Sequence, residues 1–222
     1  VNLLYQVVNT EDESDAAESE ADIRITVPGQ YQTAEDDNAK PNVLPGLREW
    51  KGGSGVYTRT EDSRIVVSDP SMDGAAEVIK TYFDQMLDMD IRIVSGTEPQ
   101  TGDVYLQAGG SADELGEEGY LLTIGDYVTV TSPTVTGMTY GGASITQILY
   151  QDEGRDNAPK GTARDYPKYA VRAGMIDVGR MYIPLEYLEE MTVYMSWFKM
   201  NETHVHINDY WSGSGYSAFR LE

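Results

Sequence analysis

Two charged side chains follow two predicted strands and could together bind a polyhydroxylated ligand. Arg180 comes directly after the apolar stretch Tyr169 to Val178, and Asp209 comes directly after Thr203 to Asn208. If these strands are parallel neighbours, their carboxyl ends meet at one edge, which is where ligands bind in such folds. An arginine donates to two oxygens and a carboxylate accepts from hydroxyls, so the pair suits the vicinal diol of a sugar. The same residues also suit a structural ion pair, in which Arg180 binds Asp177 or Asp209 and holds the loop.

The other reactive side chains indicate neither a metal nor a nucleophile. His204 and His206 share one face of the second strand, but they are the only histidines in the chain. A hydrolytic zinc site usually takes three protein ligands, so we expect packed, hydrogen-bonded histidines and no metal. No G-x-S-x-G elbow and no glycine-rich phosphate loop with a lysine follows a strand, which argues against serine hydrolase chemistry and nucleotide binding. We assign no catalytic residue and expect no cofactor.

The two charged residues are predicted to lie on a βαβ unit. Pro184 stands at the first position of a predicted helix, and Asn201 is its predicted end. The apolar stripe of this helix consists of Leu185, Leu188, Met191, Met195 and Phe198.

Residues 56–150 alternate strand and helix patterns and predict an α+β layer, with an antiparallel sheet and helices. Strands are predicted at 64–68, 91–94 and 103–107, and helices over 75–86 and 136–149. Tyr120 to Ile124 and Tyr127 to Thr131 predict an antiparallel hairpin with a type II′ turn at Gly125-Asp126. Gly137, Gly141 and Gly142 would let the second helix approach the sheet closely.

Three polar stretches are predicted to lack regular structure. Glu11 to Asp22 holds seven acidic residues and no aromatic residue, a composition typical of a solvated linker. Residues 23–55 are interrupted by prolines and by Gly52-Gly53, which predicts an irregular lead-in. Residues 151–165 hold few apolar side chains, and we interpret them as a domain connection.

The composition limits the classes of partner. A formal net charge of −21 repels nucleic-acid phosphates and anionic lipid, so no nucleic-acid partner is expected. We find no apolar run of bilayer length and no signal peptide, so no membrane insertion is expected. The absence of cysteine excludes disulfides and thiolate chemistry. Sixteen tyrosines and three tryptophans suit sugar faces and ordinary half-buried sheets alike.

The region from Tyr169 onwards resembles the opening of the catalytic barrel in family 20 glycoside hydrolases, the β-N-acetylhexosaminidase type. The family pattern has an arginine, a D-x-x-R after a hydrophobic strand, an F/Y-x-P, a K-x-N helix end, and an H-x-H followed by an acidic pair. The matching residues are Arg172, Asp177, Arg180, Tyr182, Pro184, Lys199, Asn201, His204, His206 and Asp209. Residues 42–50, 118–123 and 136–149 are similar to the small domain that precedes the barrel, so the resemblance covers about residues 41–222.

The resemblance implies an α+β domain followed by the first βαβ part of a (β/α)8 barrel. The implied boundaries are an acidic, irregular lead-in at 1–40, the family's N-terminal domain at 41–150, a connection at 151–168 and the start of the catalytic domain at 169–222. A barrel needs all eight strands to close, so an incomplete barrel exposes apolar edges, and we expect self-association through them.

The resemblance also implies an activity on oligosaccharide or glycoconjugate glycans. Family members release β-linked N-acetylhexosamine by substrate-assisted retaining hydrolysis, in which the acetamide of the sugar attacks the anomeric carbon. Arg180 and Asp209 match the family residues that hold the sugar hydroxyls in the cleavage subsite. The catalytic Asp-Glu pair of the family belongs to a later barrel strand, so we expect it beyond Glu222. The family further implies a bacterial extracellular or cell-surface location.

The end of the chain departs from the common family pattern. Tyr210 and Trp211 stand where many members continue with a second aspartate and Q-G-W, and residues 216–222 are more similar to the branch that includes lacto-N-biosidases. Lacto-N-biose is therefore a second candidate for the released unit. The alternative function is a non-catalytic carbohydrate-binding or surface-adhesion module that uses its tyrosines and tryptophans.

Overall fold

A mixed sheet of seven strands forms the centre of the protein, whose computed structural model describes residues 2–7, 17–22, 37–179 and 182–207. The strands are β1 (Asn2–Val7), β2 (Ala17–Asp22), β3 (Glu49–Thr58), β4 (Arg64–Val67), β5 (Arg92–Ser95), β6 (Val104–Ala108), β7 (Tyr120–Ile124), β8 (Val128–Ser132), β9 (Asn157–Asp165), β10 (Ala173–Asp177) and β11 (Glu202–His206). The helices are α1 (Asp73–Leu87), α2 (Ala112–Leu115), α3 (Val135–Tyr150) and α4 (Leu185–Trp197). The large sheet has the order β3-β9-β7-β8-β6-β4-β5.

The sheet is mixed, which corrects the prediction of an antiparallel sheet. Strand β4 runs parallel to β5 and β6, and β6 runs parallel to β8, whereas β3, β9, β7 and β8 pair antiparallel. Parallel neighbours need a long crossover, and α1 supplies it between β4 and β5. Strand direction depends on such connections, so the strand patterns alone could not reveal it.

The predicted antiparallel hairpin is confirmed, but its turn is different. The register pairs Ile124 with Val128, so the connection has three residues, Gly125 to Tyr127, instead of two. A type II′ turn needs a positive φ at its first central residue, and Gly125 is not among the glycines with positive φ. The type II′ prediction is therefore wrong.

Helices α1 and α3 cover one face of the sheet and pack against each other. The main core contains Ile65, Leu106, Leu122 and Val130 from the strands. Helix α3 is buried almost all round, because the sheet, α1 and α4 all contact it. A Cβ added to Gly141 would lie 2.2 Å from Val130, as expected for close approach to the sheet, whereas one added to Gly142 would lie 2.2 Å from Ile79 of α1.

Two polar stretches that predicted irregular structure instead form strands of the large sheet. Residues 157–165 form β9, which lies between β3 and β7. Residues 49–58 form β3, with a register shift between Gly52 and Val56. Gly161 of β9 has the Trp50 ring 2.4 Å from the position a Cβ would take, so its missing side chain makes room for the indole. At Gly161, the absence of a side chain in β9 thus reflects packing against a large ring.

The acidic stretch also contains regular structure. Strand β2, residues 17–22, pairs antiparallel with β1 over the register from Asn2–Asp22 to Val7–Ala17. Composition predicted a solvated linker here, and this prediction is wrong for residues 17–22. Composition describes one segment and gives no information about a complementary strand that precedes it.

The predicted strand–helix–strand unit is confirmed. Strands β10 and β11 are parallel, and α4 connects them. Pro184 precedes the first residue of α4, and the helix ends at Trp197 rather than at Asn201. Only the end of its predicted apolar stripe is covered, since Met195 is buried while Leu185 is 65% exposed. No helix in the described ranges is long and apolar enough to cross a membrane.

The contact between α1 and α3 predicts a large effect of one methyl group. We expect Gly142→Ala to lower the free energy of unfolding by about 1–3 kcal/mol, because its Cβ would overlap the buried Ile79 side chain. Gly74→Ala in α1 is the matched control, because nothing lies within 4 Å of its Cβ, and it should be neutral or slightly stabilising. Urea unfolding of both variants measures the difference, and equal stabilities would contradict this account of the helix contact.

Candidate functional site

The carboxyl ends of β10 and β11 lie side by side, as the sugar-binding hypothesis requires. The parallel register places Asp177 opposite His206 at the last pair of the two strands. Arg180 follows Asp177 by three residues in the sequence, and Asp209 follows His206 by three. Both predicted site residues lie outside the described residues. The structure therefore confirms that the two strands preceding Arg180 and Asp209 are neighbours.

Asp177 connects the two strand ends through its carboxylate. His206 Nδ1 lies 3.1 Å from Asp177 Oδ1, and the Gly179 N–H donates to the same oxygen at 3.0 Å. This carboxylate thus holds both the turn after β10 and the end of β11.

The prediction that both histidines are core residues is wrong, although His206 contacts Asp177. His204 is exposed and His206 is half-buried, so neither is a packed core residue. The core prediction assumed that both faces of the second strand are covered, whereas β10 and β11 form a two-stranded sheet of their own. Within the described ranges, no group of three His, Asp or Glu side chains could hold a metal ion.

The amino ends of the same strands are joined by hydrogen bonds to Glu118, which lies in the turn before β7. Arg172, directly before β10, donates from its two terminal nitrogens to the Glu118 carboxylate at 3.0 and 3.1 Å. Asn201, directly before β11, donates from Nδ2 to Glu118 Oε1 at 3.1 Å. The guanidinium also lies over the Tyr140 ring, 5.6 Å from its centroid. Two residues that lie 29 positions apart therefore meet at the carboxylate of a third.

Helix α4 ends in a Schellman motif with a lysine at the left-handed position. Lys199 has a φ of 58°, its N–H donates to Ser196 O, and the Met200 N–H donates to Met195 O. Glycine is usual at this position because a side chain there is strained. The side chain of Lys199 explains the exception, since it leaves the helix end directly into the sheet domain.

The ammonium group of Lys199 is buried against a carboxylate and a phenol. Lys199 Nζ donates to Asp165 Oδ2 at 2.8 Å and to the Tyr120 hydroxyl at 2.9 Å. The Tyr120 hydroxyl donates to the same Asp165 oxygen at 2.7 Å and lies 2.5 Å from Ser144 Oγ. Burial away from water lowers the pKa of Lys199 and outweighs the opposing effect of Asp165. Burial, followed by the Asp165 charge, raises the pKa of Tyr120 well above its usual value.

The last turn of α4 packs on α1 and α3. The Trp197 indole N–H donates to Thr146 Oγ1 at 2.9 Å, and Gln147 Nε2 donates to Trp197 O at 2.7 Å. The hydroxyls of Tyr82 and Ser196 are 2.8 Å apart. The βαβ unit is thus attached to the sheet domain at the amino ends of its strands and the carboxyl end of its helix.

A cavity of about 260 Å³ lies beside this attachment. Its walls include Tyr120, Tyr140, Tyr166, Arg48 and Lys199. The guanidinium groups of Arg48 and Arg164 both lie 5.1 Å from the centroid of the Tyr166 ring. The charged groups of the wall bind one another, as in the Lys199–Asp165 and Arg172–Glu118 pairs, so the cavity presents mainly aromatic faces.

Two family models match consecutive parts of the chain, the first over the large sheet and the second over the βαβ unit. The model described as glycosyl hydrolase family 20, domain 2, matches residues 40–166, more than half of the chain. The chain belongs to glycosyl hydrolase family 20. The model of the family 20 catalytic domain matches residues 169–214, which include the βαβ unit and both predicted sugar-binding residues.

Relatives of this family 20 chain are much longer. It is 30% identical over 176 residues to a lacto-N-biosidase of Bifidobacterium bifidum, covering 78% of this chain and 15% of that protein. It is 23% identical over 176 residues to a β-hexosaminidase of Porphyromonas gingivalis, covering 76% of this chain and 22% of that protein. The chain therefore spans less than a quarter of either relative.

Solved family 20 structures share the fold. The N-acetyl-β-hexosaminidase of Streptomyces plicatus in complex with thio-NAglucal superposes with a TM-score of 0.63 at 23% identity, over 78% of this chain and 36% of that one. An exo-β-N-acetylglucosaminidase of Vibrio harveyi in complex with N-acetylglucosamine gives a TM-score of 0.65 at 16% identity, over 93% of this chain and 32% of that one.

Five of the residues that resemble the family 20 motifs fall into two spatial groups. Arg172, Lys199 and Asn201 lie at the attachment, whereas Asp177 and His206 lie at the opposite ends of the strands. Sequence reasoning found all five as motif matches but did not separate the two roles. It missed Asp165 as the partner of Lys199, because Asp165 was assigned to the connection. The one sequence signal for a buried neighbour was the apolar pattern around Tyr120.

The Lys199–Asp165 pair predicts a strong coupling. We expect Lys199→Met to lower the free energy of unfolding by about 3–5 kcal/mol, because it leaves Asp165 buried without its cation. Lys199→Met combined with Asp165→Asn should cost less than the sum of the two single changes. Lys160→Met is the matched control, since Lys160 pairs with the exposed Asp126, and it should change stability by about 1 kcal/mol or less. Additive effects in urea unfolding would contradict the coupling.

The burial of the Tyr82 hydroxyl predicts a specific loss of stability at high pH. Burial raises the pKa of Tyr82 to about 12, whereas an unfolded tyrosine ionises near 10. Its contribution to stability is therefore complete below pH 10 and is lost as the pH rises towards 12. We expect Tyr82→Phe to show a smaller loss of unfolding free energy across this range, by about 2–3 kcal/mol. Urea unfolding at each pH measures this, with the surface variant Tyr127→Phe as control; identical slopes for Tyr82→Phe and the wild type would refute it.

Proposed function

We propose that this chain supplies sugar-binding residues to a family 20 enzyme that releases β-linked N-acetylhexosamine, or lacto-N-biose, from glycans. The observation that carries the proposal is the parallel register of β10 and β11, which ends with Asp177 opposite His206. The carboxyl ends of neighbouring parallel strands are where α/β folds bind ligands. The match of residues 169–214 to the family's catalytic domain supports the same assignment.

In this proposal Arg180 and Asp209 hold hydroxyl groups of the sugar in the cleavage subsite. The arginine donates two parallel hydrogen bonds and the aspartate accepts from a hydroxyl, which together select a vicinal diol. The reaction is substrate-assisted, so the acetamide oxygen of the bound sugar attacks its own anomeric carbon and water then opens the intermediate with retention. The two residues contribute by orienting the ring, and the Asp-Glu pair that steadies the acetamide and protonates the leaving oxygen belongs to a later barrel strand.

The proposal includes the division of the chain into a sheet domain and the start of a barrel. Since β9 ends at Asp165 and β10 begins at Ala173, we place the connection between these two residues. Exposed apolar side chains on the βαβ unit and in the segment before it support its association with another part of a barrel or with a second copy. They include Tyr169, Val171, Met175, Tyr182 and Leu185. The bacterial extracellular or cell-surface location rests on the family alone.

Two chromogenic substrates test the proposed reaction. The product of the full reading frame that contains this chain should hydrolyse p-nitrophenyl N-acetyl-β-glucosaminide or p-nitrophenyl lacto-N-bioside, and the preferred substrate identifies the released unit. The 222-residue chain alone should hydrolyse neither. If the full product binds glycans but does not hydrolyse them, the result would support the alternative function, a non-catalytic carbohydrate-binding module.

Substitution of the two sugar-binding residues tests their roles. In the full product, we expect Arg180→Ala and Asp209→Ala each to lower kcat/KM by about 10- to 100-fold, because each removes a charge-assisted hydrogen bond to the sugar. Arg92→Ala is the matched control, because Arg92 is exposed on the edge strand β5. Unchanged kinetics in the Arg180 and Asp209 variants would remove both residues from the site.

A further inference from the structure

Glu118 lies in the sheet domain, yet its carboxylate contacts the starts of both barrel strands. Its Oε2 accepts from Arg172 Nη1 at 3.0 Å, and its Oε1 accepts from Arg172 Nη2 and Asn201 Nδ2, both at 3.1 Å. We propose that Glu118 is a positioning residue for the sugar-binding edge of the βαβ unit, an inference that rests on the function proposed above. It acts through β10 and β11 and does not touch the sugar.

The two partners of Glu118 are bound to each other as well. The Arg172 N–H donates to Asn201 Oδ1 at 2.9 Å, and the Asn201 N–H donates to Arg172 O at 3.0 Å. Asn201 Nδ2 also donates to Ala170 O at 2.7 Å. Arg172 immediately precedes β10 and Asn201 immediately precedes β11. The Glu118 carboxylate therefore binds the residue before each strand, in addition to the bonds that these two residues make with each other.

The environment makes these contacts strong. The side chains of Arg172 and Glu118 are only 14% and 18% exposed, so water screens their attraction little. A bidentate arginine–carboxylate pair also fixes orientation, which a single charge contact does not. Arg172 Nε donates to Lys199 O at 2.7 Å, so the same guanidinium binds the end of α4. The Glu118 contact is thus continuous with the attachment of the whole unit.

The strands transmit this position to the sugar-binding edge. Each has five residues in unbroken parallel register, from Ala173–Glu202 to Asp177–His206. At about 3.3 Å per residue, the far end of each strand lies about 16 Å along the strand from Arg172 or Asn201. A hydrogen-bonded strand pair is stiff along its length, so a shift at one end moves the other. A displacement of about 1 Å at a catalytic site can cost about 100-fold in rate, which makes remote positioning effective.

Kinetics of the full product test this inference. We expect Glu118→Ala to lower kcat/KM by about 10-fold, mainly through KM, and Glu118→Gln to have a smaller effect because it keeps one acceptor oxygen. Glu117→Ala is the matched control, since Glu117 is the adjacent, exposed residue, and it should match the wild type. In a background with both Arg180→Ala and Asp209→Ala, Glu118→Ala should lower kcat/KM by less than about 2-fold, because both residues that it positions are gone. Full additivity, or identical kinetics for Glu118→Ala and Glu117→Ala, would overturn the inference.

Hydrogen exchange of the 222-residue chain separates this inference from the proposed reaction. We expect amides of β10 and β11 to exchange about 10-fold faster in Glu118→Ala, whereas those of β6 and β8 keep their wild-type rates. Equal acceleration in all four strands would show general destabilisation and would contradict positioning. If Glu118→Ala does not fold, Glu118→Gln carries the same measurement. If the wild-type full product hydrolyses no glycoside, the proposed function fails, and the exchange result alone decides whether Glu118 holds the two strands.

Discussion

The burial of the Lys199 ammonium against Asp165 is the contact on which the placement of the βαβ unit depends. Removing these charges from water is costly, and the Tyr120 hydroxyl helps to offset that cost by bonding to both. The contact also requires Lys199 to adopt a left-handed backbone conformation that lysine rarely takes. The side chain of Lys199, at the end of α4, thus extends into the sheet domain. Arg172 binds the same helix end through Lys199 O, and Asn201 binds Arg172.

This arrangement separates the two ends of the parallel strands by function. Attachment is concentrated at the amino ends, where Arg172 and Asn201 bind Glu118. The carboxyl ends hold the Asp177–His206 contact and lead to the residues proposed to bind sugar. Barrel enzymes in general place ligand chemistry at the carboxyl ends of their strands and stabilising contacts at the other end. In β10 and β11 the attachment contacts also lie at the amino ends, and the sheet domain provides them.

Helix α3 connects the sheet domain to the βαβ unit. It is buried because it contacts the sheet on one side, α1 on another and α4 on a third. Its glycines allow the close packing, and Thr146 and Gln147 bind the Trp197 end of α4. Helix α3 therefore belongs both to the core of the sheet domain and to its interface with α4.

The sequence by itself determined the helices α1, α3 and α4, most strands, the β7–β8 hairpin and the βαβ order, because apolar periodicity reflects local backbone geometry. It also determined the family, because motifs such as K-x-N and H-x-H occur in this chain in the order of the family pattern. Only the tertiary structure decided the mixed sheet and the central place of β9, since strand pairing depends on partners elsewhere in the chain. It alone showed that Arg172 meets Glu118, 54 residues away, and that Lys199 meets Asp165, 34 residues away. The physical reason is that charge pairs across an interface depend on distance in space, which no local sequence pattern encodes.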